Sequence, residues 1–493
     1  MATKRPNILL ILSDNHPADL LGCYGNDEIH TPHLDRLAQQ GIQFKQTFSV
    51  NAMCSPCRAS ILTGLMPSQH GIHTWLDDRI MDHWPPGWNA IDEFTTLPEI
   101  LKANGYQTAL IGKYHLGVPD EAQNGFDHWV TFPLGHTQSF WNNTILDNGE
   151  QYTYPGHIVD CFTEKAVEYL QDRDPEADPP FFLYLPYNAP YGHWPSIQGP
   201  ARNRFADLYA ETAMHCIPRE GISEKAIDRF LLRREASGGG IDYSAPLRIQ
   251  NDLVSLRNYC SQMSMVDDGV GRVLAALQAQ GLDENTLVIY SCDHGFSLGH
   301  NGFWGHGQAT WPANAHRAAY HIPLLVRQPG HIAPYQVSEA LVSQIDLFAT
   351  ILDYVGLGDI QANDNTPSQS FAPLLQGKRL DRAMDAVFIE QEEVRAIRTQ
   401  DWLYMERFQG SATYPLADEL YDLARDPGET TDVIDEPEYA EIAASLRERI
   451  DRYFEHYRDP RYDLWQGGSL KSNTDKPWLW NDAWGANWEP VFG

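Results

Sequence analysis

Positive charge is what this sequence has least of. Its 36 lysines and arginines face 66 aspartates and glutamates, a formal charge of −30 at pH 7. A surface of that sign repels nucleic acid and anionic lipid, so neither is expected as a partner. An anionic substrate would meet an opposing field, and its site would need positive charge of its own. Cysteine is scarce too: Cys23, Cys54, Cys57, Cys161, Cys216, Cys260 and Cys292 form an odd, scattered set. That is not the disulfide framework of a secreted domain. Long apolar runs are missing as well. Ile8 to Leu12 stops at Ser13-Asp14, too short for a signal-peptide core or a membrane span. With no internal repeat either, the expectation is a cytoplasmic globular enzyme.

What is present suits one large domain and a smaller one: 493 residues, 42% of them hydrophobic. Short apolar runs at Asn7–Leu12, Thr108–Ile111, Phe181–Leu185, Leu287–Tyr290 and Ile322–Val326 predict strands buried on both faces. Helical periods lie between them. One is capped at Thr31-Pro32 and ends at Gly41; another carries Val266, Val270, Val273, Leu274 and Leu277 on one stripe and ends at Gly281. The alternation predicts an α/β fold: a large, mostly parallel sheet between helices. Residues 196–250, polar and holding Gly238-Gly239-Gly240, read as an insertion at the sheet's edge or mouth. Beyond residue 380 the runs at 386–389, 394–397 and 402–405 and a helix near 438–456 predict a small α+β subdomain over 381–493, after a catalytic domain over 1–380. The tail from Trp465 to Trp488 holds five of the fourteen tryptophans. Exposed, it would aggregate, so it should pack on its own body or on a second subunit, giving a homo-oligomer.

The stretch Cys54-Ser55-Pro56-Cys57-Arg58 poses the chemical question. A redox pair would need a thioredoxin-like setting, and a zinc site a second ligand pair, and the chain offers neither. Ser55 can cap and Pro56 can open a helix running to Gly64, which sets Cys54 just ahead of a helix N-terminus, an end that attracts anions. Inert thiols at a buried helix start are the plain alternative.

The longer string CSPCRASILTG resembles the signature of the type I, formylglycine-dependent sulfatases, an alkaline-phosphatase-like family. The resemblance implies that Cys54 is oxidised to formylglycine by a formylglycine-generating enzyme and that its hydrate is the nucleophile. Cys57 then stands where serine is frequent, and Arg58 steadies the hydrate. Leu12-Ser13-Asp14-Asn15 and Cys292-Asp293-His294-Gly295 look like the family's two metal pairs, each at a strand's carboxyl end, where ligands of open α/β sheets gather. Asp14, Asn15, Asp293 and an oxygen at position 54 suit Ca2+, while the His294 nitrogen leans toward Mn2+. Gly112-Lys113-Tyr114-His115-Leu116-Gly117 resembles a family string in which Lys113 binds sulfate and His115 holds or deprotonates the hydroxyl at position 54.

Two departures bear on the leaving-group side. Tyr191 fills a slot where the family has histidine, with His193 two residues on, and Gly305-His306-Gly307 replaces a glycine-lysine-glycine. His193 and His306 are therefore candidates for sulfate contact and for proton donation. The implied reaction is hydrolysis of a small sulfate ester, with a phosphonate monoester or phosphodiester as the alternative on the same scaffold. Trp75, Trp194, Trp304 and Trp311 lie near the motif loops and are candidates for stacking on the alcohol or for packing.

Overall fold

A computed structural model describes residues 5–219, 221–236, 252–307, 310–380, 384–474 and 476–490. The expected Gly238-Gly239-Gly240 hinge lies outside the described residues. Among the described residues there are sixteen strands: β1 Asn7–Asp14, β2 Ile42–Phe48, β3 Gln107–Ile111, β4 His128–Thr131, β5 Trp141–Asp147, β6 Glu150–His157, β7 Phe181–Pro190 and β8 Thr286–Cys292. They continue with β9 Ser297–Leu298, β10 Trp304–Gly305, β11 Leu324–Arg327, β12 Gln336–Ser343, β13 Val387–Gln391, β14 Val394–Arg398, β15 Trp402–Arg407 and β16 Glu419–Asp422. Ten form one sheet in the order β12-β2-β11-β8-β1-β7-β3-β4-β5-β6. Its centre is parallel: β1 runs with both β7 and β8. β11, the expected strand at 322–326, runs antiparallel to β8 and β2.

The unbroken apolar run of β1 follows from its central place, because alternate side chains serve opposite faces. Leu9 and Ile11 join a core with Leu34, Leu37, Phe162, Val266 and Val270, from helices Pro32–Gln39, Ile158–Gln171 and Leu253–Ala279. Ile8, Leu10 and Leu12 join a second core with Leu62, Leu101 and Ile351, from helices Cys54–Thr63, Leu97–Ala103 and Asp346–Tyr354. Each fully buried Leu or Ile contributes about 1.5–3 kcal/mol, so the middle of the sheet is the rigid platform for whatever its strand ends carry.

β13 to β16 form an antiparallel sheet. One face, through Ile397, Tyr404 and Leu420, packs on the helix Ala440–Tyr457; the other, through Ile389, Ala396 and Met405, packs on Phe48, Ala313 and Tyr320 of the large sheet's side of the molecule. The tryptophan tail lies on its own chain. Trp480 is fully buried, and Trp465 Nε1 donates to Glu392 O at 2.7 Å. Lys476, also buried, is 2.7 Å from Glu393. Between β7 and the helix Leu253–Ala279, the helix Glu224–Ala236 begins beside Gly302, to whose carbonyl Ser223 N donates, and Lys225 reaches Glu419 at 2.7 Å.

Candidate active site

Four stretches far apart in sequence meet at the carboxyl ends of β1, β3, β7 and β8. Asp14 closes β1, and Asn15 follows at φ 62°; His115 follows β3 at φ 57°; Tyr191 follows β7 at φ 39°. Left-handed backbone at non-glycine residues costs about 1–3 kcal/mol each and concentrates where side chains must be aimed. Asp293 and His294 follow β8.

The Cys54 helix supplies the floor. It spans Cys54–Thr63, all ten residues are buried, and Gly64 ends it at φ 72° with its N–H on Ser60 O. Helix formation begins two residues earlier than the Ser55-Pro56 cap expected: Met53 is the N-cap, and Ser55 Oγ instead accepts from Leu76 N at 3.1 Å. Pro56 still sits in the first turn, where its missing N–H has no helical partner to lose. Cys57 is structural, its Sγ donating to Asn51 O at 3.0 Å.

Cys54 Sγ lies 3.6 Å from Asp14 Oδ1 and 3.5 Å from His294 Nε2. Asp14, Cys54, Asp293 and His294 each offer a ligand atom, and these atoms lie within 4.8 Å of one another, all buried. His294 Nδ1 donates to Gly295 O at 2.8 Å, which leaves the Nε2 lone pair facing the cluster, the orientation a metal-ligating imidazole needs. Asn15 turns its amide nitrogen inward, donating to Asp14 Oδ1 at 2.8 Å; to ligate through oxygen the amide must turn over. Two carboxylates, one imidazole and one amide fit a divalent cation.

Two buried cations balance the carboxylates. Arg58 Nη2 bridges Asp14 and Asp293 at 3.2 and 2.8 Å, and its Nη1 donates to Lys113 O at 2.8 Å. Lys113 Nζ donates to Asp14 Oδ2 at 2.5 Å and stands 5.3 Å from the Tyr191 ring centre. Burial works against charge on Lys113, but Asp14 and Cys54 outweigh it and raise its pKa. Burial likewise opposes the Asp293 carboxylate, yet His294 and Arg58 hold it below the usual range. The Cys54 thiol is pushed far up by burial, with Asp14 adding to the effect.

The histidines divide into two groups. His115 Nε2 donates to Leu76 O at 2.9 Å, and its buried Nδ1 has no protein partner. Burial and nearby Lys113 hold its pKa well below the ordinary value, so Nδ1 is an open acceptor. His193 and His306, two separate candidates in the sequence, form one hydrogen-bonded pair, Nε2 to Nε2 at 2.7 Å. His306 also stacks edge-on to His294, ring centres 4.5 Å apart. Burial, and then competition with the neighbouring His193 and His294 imidazoles for a proton, drives the His306 pKa well down. A permanent cation is not what this side chain supplies.

Of the four tryptophans, Trp311 packs against Trp478 and Tyr414 of the C-terminal part, and Trp304 against Phe296. Trp75 meets His136 edge-on. Motif reasoning did not reach Gln344, whose Nε2 donates to Cys292 O and Asp293 O at 2.7 Å each, or Tyr259, whose hydroxyl donates to Asn15 O at 2.5 Å. A lone Gln after β12 carries no local signal. Asp78 and His136, described below, carry none either.

A buried cluster of candidate metal ligands around a helix-head residue, on the carboxyl edge of a mixed α/β sheet, suits a metal-assisted hydrolase. The family model for sulfatases matches residues 6–357, and that for the C-terminal part of N-sulphoglucosamine sulphohydrolase matches residues 314–456. The chain is 27% identical to N-acetylglucosamine-6-O-sulfatase of Bacteroides thetaiotaomicron, over 93% of this chain and 88% of that one. It is 28% identical to human N-sulphoglucosamine sulphohydrolase, over 93% and 92%. In structure it resembles the YidJ protein of Bacteroides fragilis (TM-score 0.74, 21% identity, 94% and 97% covered). It also resembles the phosphonate monoester hydrolase of Agrobacterium radiobacter (TM-score 0.70, 20% identity, 92% and 97% covered). The chain belongs to the sulfatase family. It is an enzyme that hydrolyses sulfate esters.

Proposed function

We propose that the enzyme cleaves a small sulfate monoester, most readily a sulfated sugar, through a formylglycine at position 54 and a divalent cation held by Asp14, Asn15, Asp293 and His294. The observation that carries this is the placement of Cys54. It heads a buried helix, 3.6 Å from Asp14 and 3.5 Å from His294, in the pocket that Arg58 and Lys113 line with positive charge. Position 54 as a formylglycine hydrate supplies an oxygen nucleophile and a second hydroxyl for release of sulfate; the cation supplies charge neutralisation.

The protein groups do the rest. Lys113 and Arg58 are fixed donors for oxygens that gain charge as sulfur is attacked. His115, with Nε2 committed to Leu76 O, offers Nδ1 to take a proton from a hydroxyl at position 54. The His193–His306 pair can pass a proton toward the departing alcohol. Oxygen donors from Asp14, Asn15 and Asp293 favour calcium; the His294 nitrogen is the one feature favouring manganese. Two of the relatives above, N-acetylglucosamine-6-O-sulfatase and N-sulphoglucosamine sulphohydrolase, are named for sulfated amino sugars, which supports a sugar alcohol here. The seven unpaired cysteines suit a reducing, cytoplasmic setting.

Mass spectrometry of the residue-54 peptide from active enzyme should show an aldehyde in place of the thiol. Cys54→Ala should remove turnover, while Cys57→Ser, which keeps a donor for Asn51 O, should cost about 1 kcal/mol of stability and little activity. A fully active Cys54→Ala would refute the nucleophile. A phosphonate monoester hydrolysed faster than any sulfate would make the phosphonate the substrate class.

A further inference from the structure

A loop after β4 closes one side of the active site through three consecutive residues. Gly135 lies flat against His115: a Cβ there would stand 2.0 Å from the His115 ring carbon Cδ2. Thr137 is tied to the end of β7, its Oγ1 donating to Asn188 O at 3.2 Å and accepting from Asn188 Nδ2 at 3.1 Å. Asn188 precedes Tyr191 by three residues. His136 is thus held between two residues of the reaction centre, with its ring 5.2 Å from that of His115.

Asp78 fixes its orientation. One carboxylate oxygen accepts from Gly135 N at 2.8 Å and His136 N at 2.9 Å, and the other lies 3.1 Å from His136 Nδ1. With the Nδ1 proton donated to Asp78, Nε2 is the free pole of the ring. Asp78 is nearly buried, whereas the His136 side chain is 24% exposed, so part of the ring reaches solvent. Trp75, itself buried, meets that ring edge-on, centroids 6.3 Å apart, and backs the imidazole from the protein side.

An imidazole fixed by a carboxylate through one nitrogen, with its ring beside His115 of the reaction centre, is a contact that a hydroxyl-bearing leaving group can use and a hydrocarbon cannot. We propose that His136, positioned by Asp78, is a specificity-determining contact that selects a polyhydroxylated, carbohydrate alcohol by accepting a hydroxyl of the leaving group. This rests on the sulfate-ester function proposed above. It assigns no part in sulfur chemistry to His136, which separates it from His115, His193 and His306.

The test uses the loaded enzyme and two primary alkyl sulfates of matched leaving ability, glucosamine 6-sulfate and cyclohexylmethyl sulfate, which lacks every hydroxyl. Wild type should prefer the sugar. His136→Ala should cut that preference by about tenfold to a hundredfold, mainly through KM, as expected when one buried polar contact to a substrate hydroxyl is lost. His136→Gln, which retains an acceptor, should recover part of it. Asp78→Asn keeps an oxygen for the two backbone N–H groups while losing the acceptor for Nδ1, and should give an intermediate loss of the preference with a modest fall in thermal midpoint. Equal loss on both sulfates in His136→Ala, with the preference intact, overturns the proposal. So does a wild type that prefers cyclohexylmethyl sulfate. A wild type inert on every sulfate ester would instead sink the parent function.

Discussion

Lys113 Nζ shares one oxygen of Asp14, Oδ2, with Arg58, at 2.5 and 3.2 Å, while Oδ1 of the same carboxylate faces Cys54 and Asn15. One side chain therefore carries two jobs on two atoms: Oδ2 anchors the cations and Oδ1 is the candidate metal ligand.

That division predicts opposite metal phenotypes for the two partners. Asp14→Ala removes a ligand and leaves Lys113 and Arg58 less compensated, so bound metal and turnover should both fall, activity by about three orders of magnitude or more. Lys113→Met removes a positive neighbour of the cation. Its metal affinity should hold or rise while kcat/KM falls about a hundredfold or more, because a fixed donor to the sulfate oxygens is gone. Metal content after dialysis, read beside kinetics, checks both; parallel metal loss in the two variants would contradict the assignment.

The 2.7 Å contact between His193 and His306 makes the pair the candidate proton donor to the alcohol. His306→Ala should slow an alkyl sulfate far more than nitrophenyl sulfate, about a hundredfold against a few-fold, because a good leaving group needs little protonation. The loss should appear in kcat, unlike the KM effect expected at His136. Equal losses on both substrates would leave the pair with a binding role.

Stability gives an independent check far from the chemistry. Glu429 is buried between Arg398 and His316, the latter at 3.1 Å. Burial raises its pKa, but the two partners outweigh that and hold it at about 2, against an ordinary 4.5. A carboxylate held low stabilises the fold above its unfolded pKa, and that share is lost as pH falls toward the folded value. Glu429→Gln should cost about 3 kcal/mol at pH 7, measured by denaturant midpoint, and the gap should narrow below about pH 4.5. A gap that widens on acidification would show that Glu429 is not the stabilising partner.

The local motifs were the legible part. Asp14-Asn15, Cys54 to Arg58, Lys113-x-His115 and Asp293-His294 each sit in a few consecutive residues, and strand ends bring them together as an α/β sheet must. β1, β3, β7 and β8 were readable for the same reason, as continuous apolar runs. β2 was not, since Gln43, Lys45 and Gln46 interrupt its apolar residues, and the direction of β11 is set by pairing alone. The β5–β6 hairpin does carry a signal, Asn148-Gly149 at φ 49° and 91°, but its strands are too polar to register as a run. Asp78 and His136 met no motif because their relation exists only once the loop after β4 folds over His115. The union of His193 with His306 is of the same kind: two positions 113 residues apart that no spacing could pair.

The central place of β1 gives the protein a history as well as a shape. Asn15 N meets Asp293 Oδ1 across 278 positions of chain, because β1 cannot be flanked on both sides until β8 has been made. While a ribosome is still translating the segments between, Cys54 is an open peptide side chain. Once β8 docks it is 3% exposed, beneath Asp14 and His294. Under the formylglycine chemistry proposed above, a converting enzyme would have only that interval in which to work. Folded protein made without it should stay a thiol when the converting enzyme is added later, whereas chains labelled during translation should yield the aldehyde, and conversion of the finished fold at the same rate would remove this deadline.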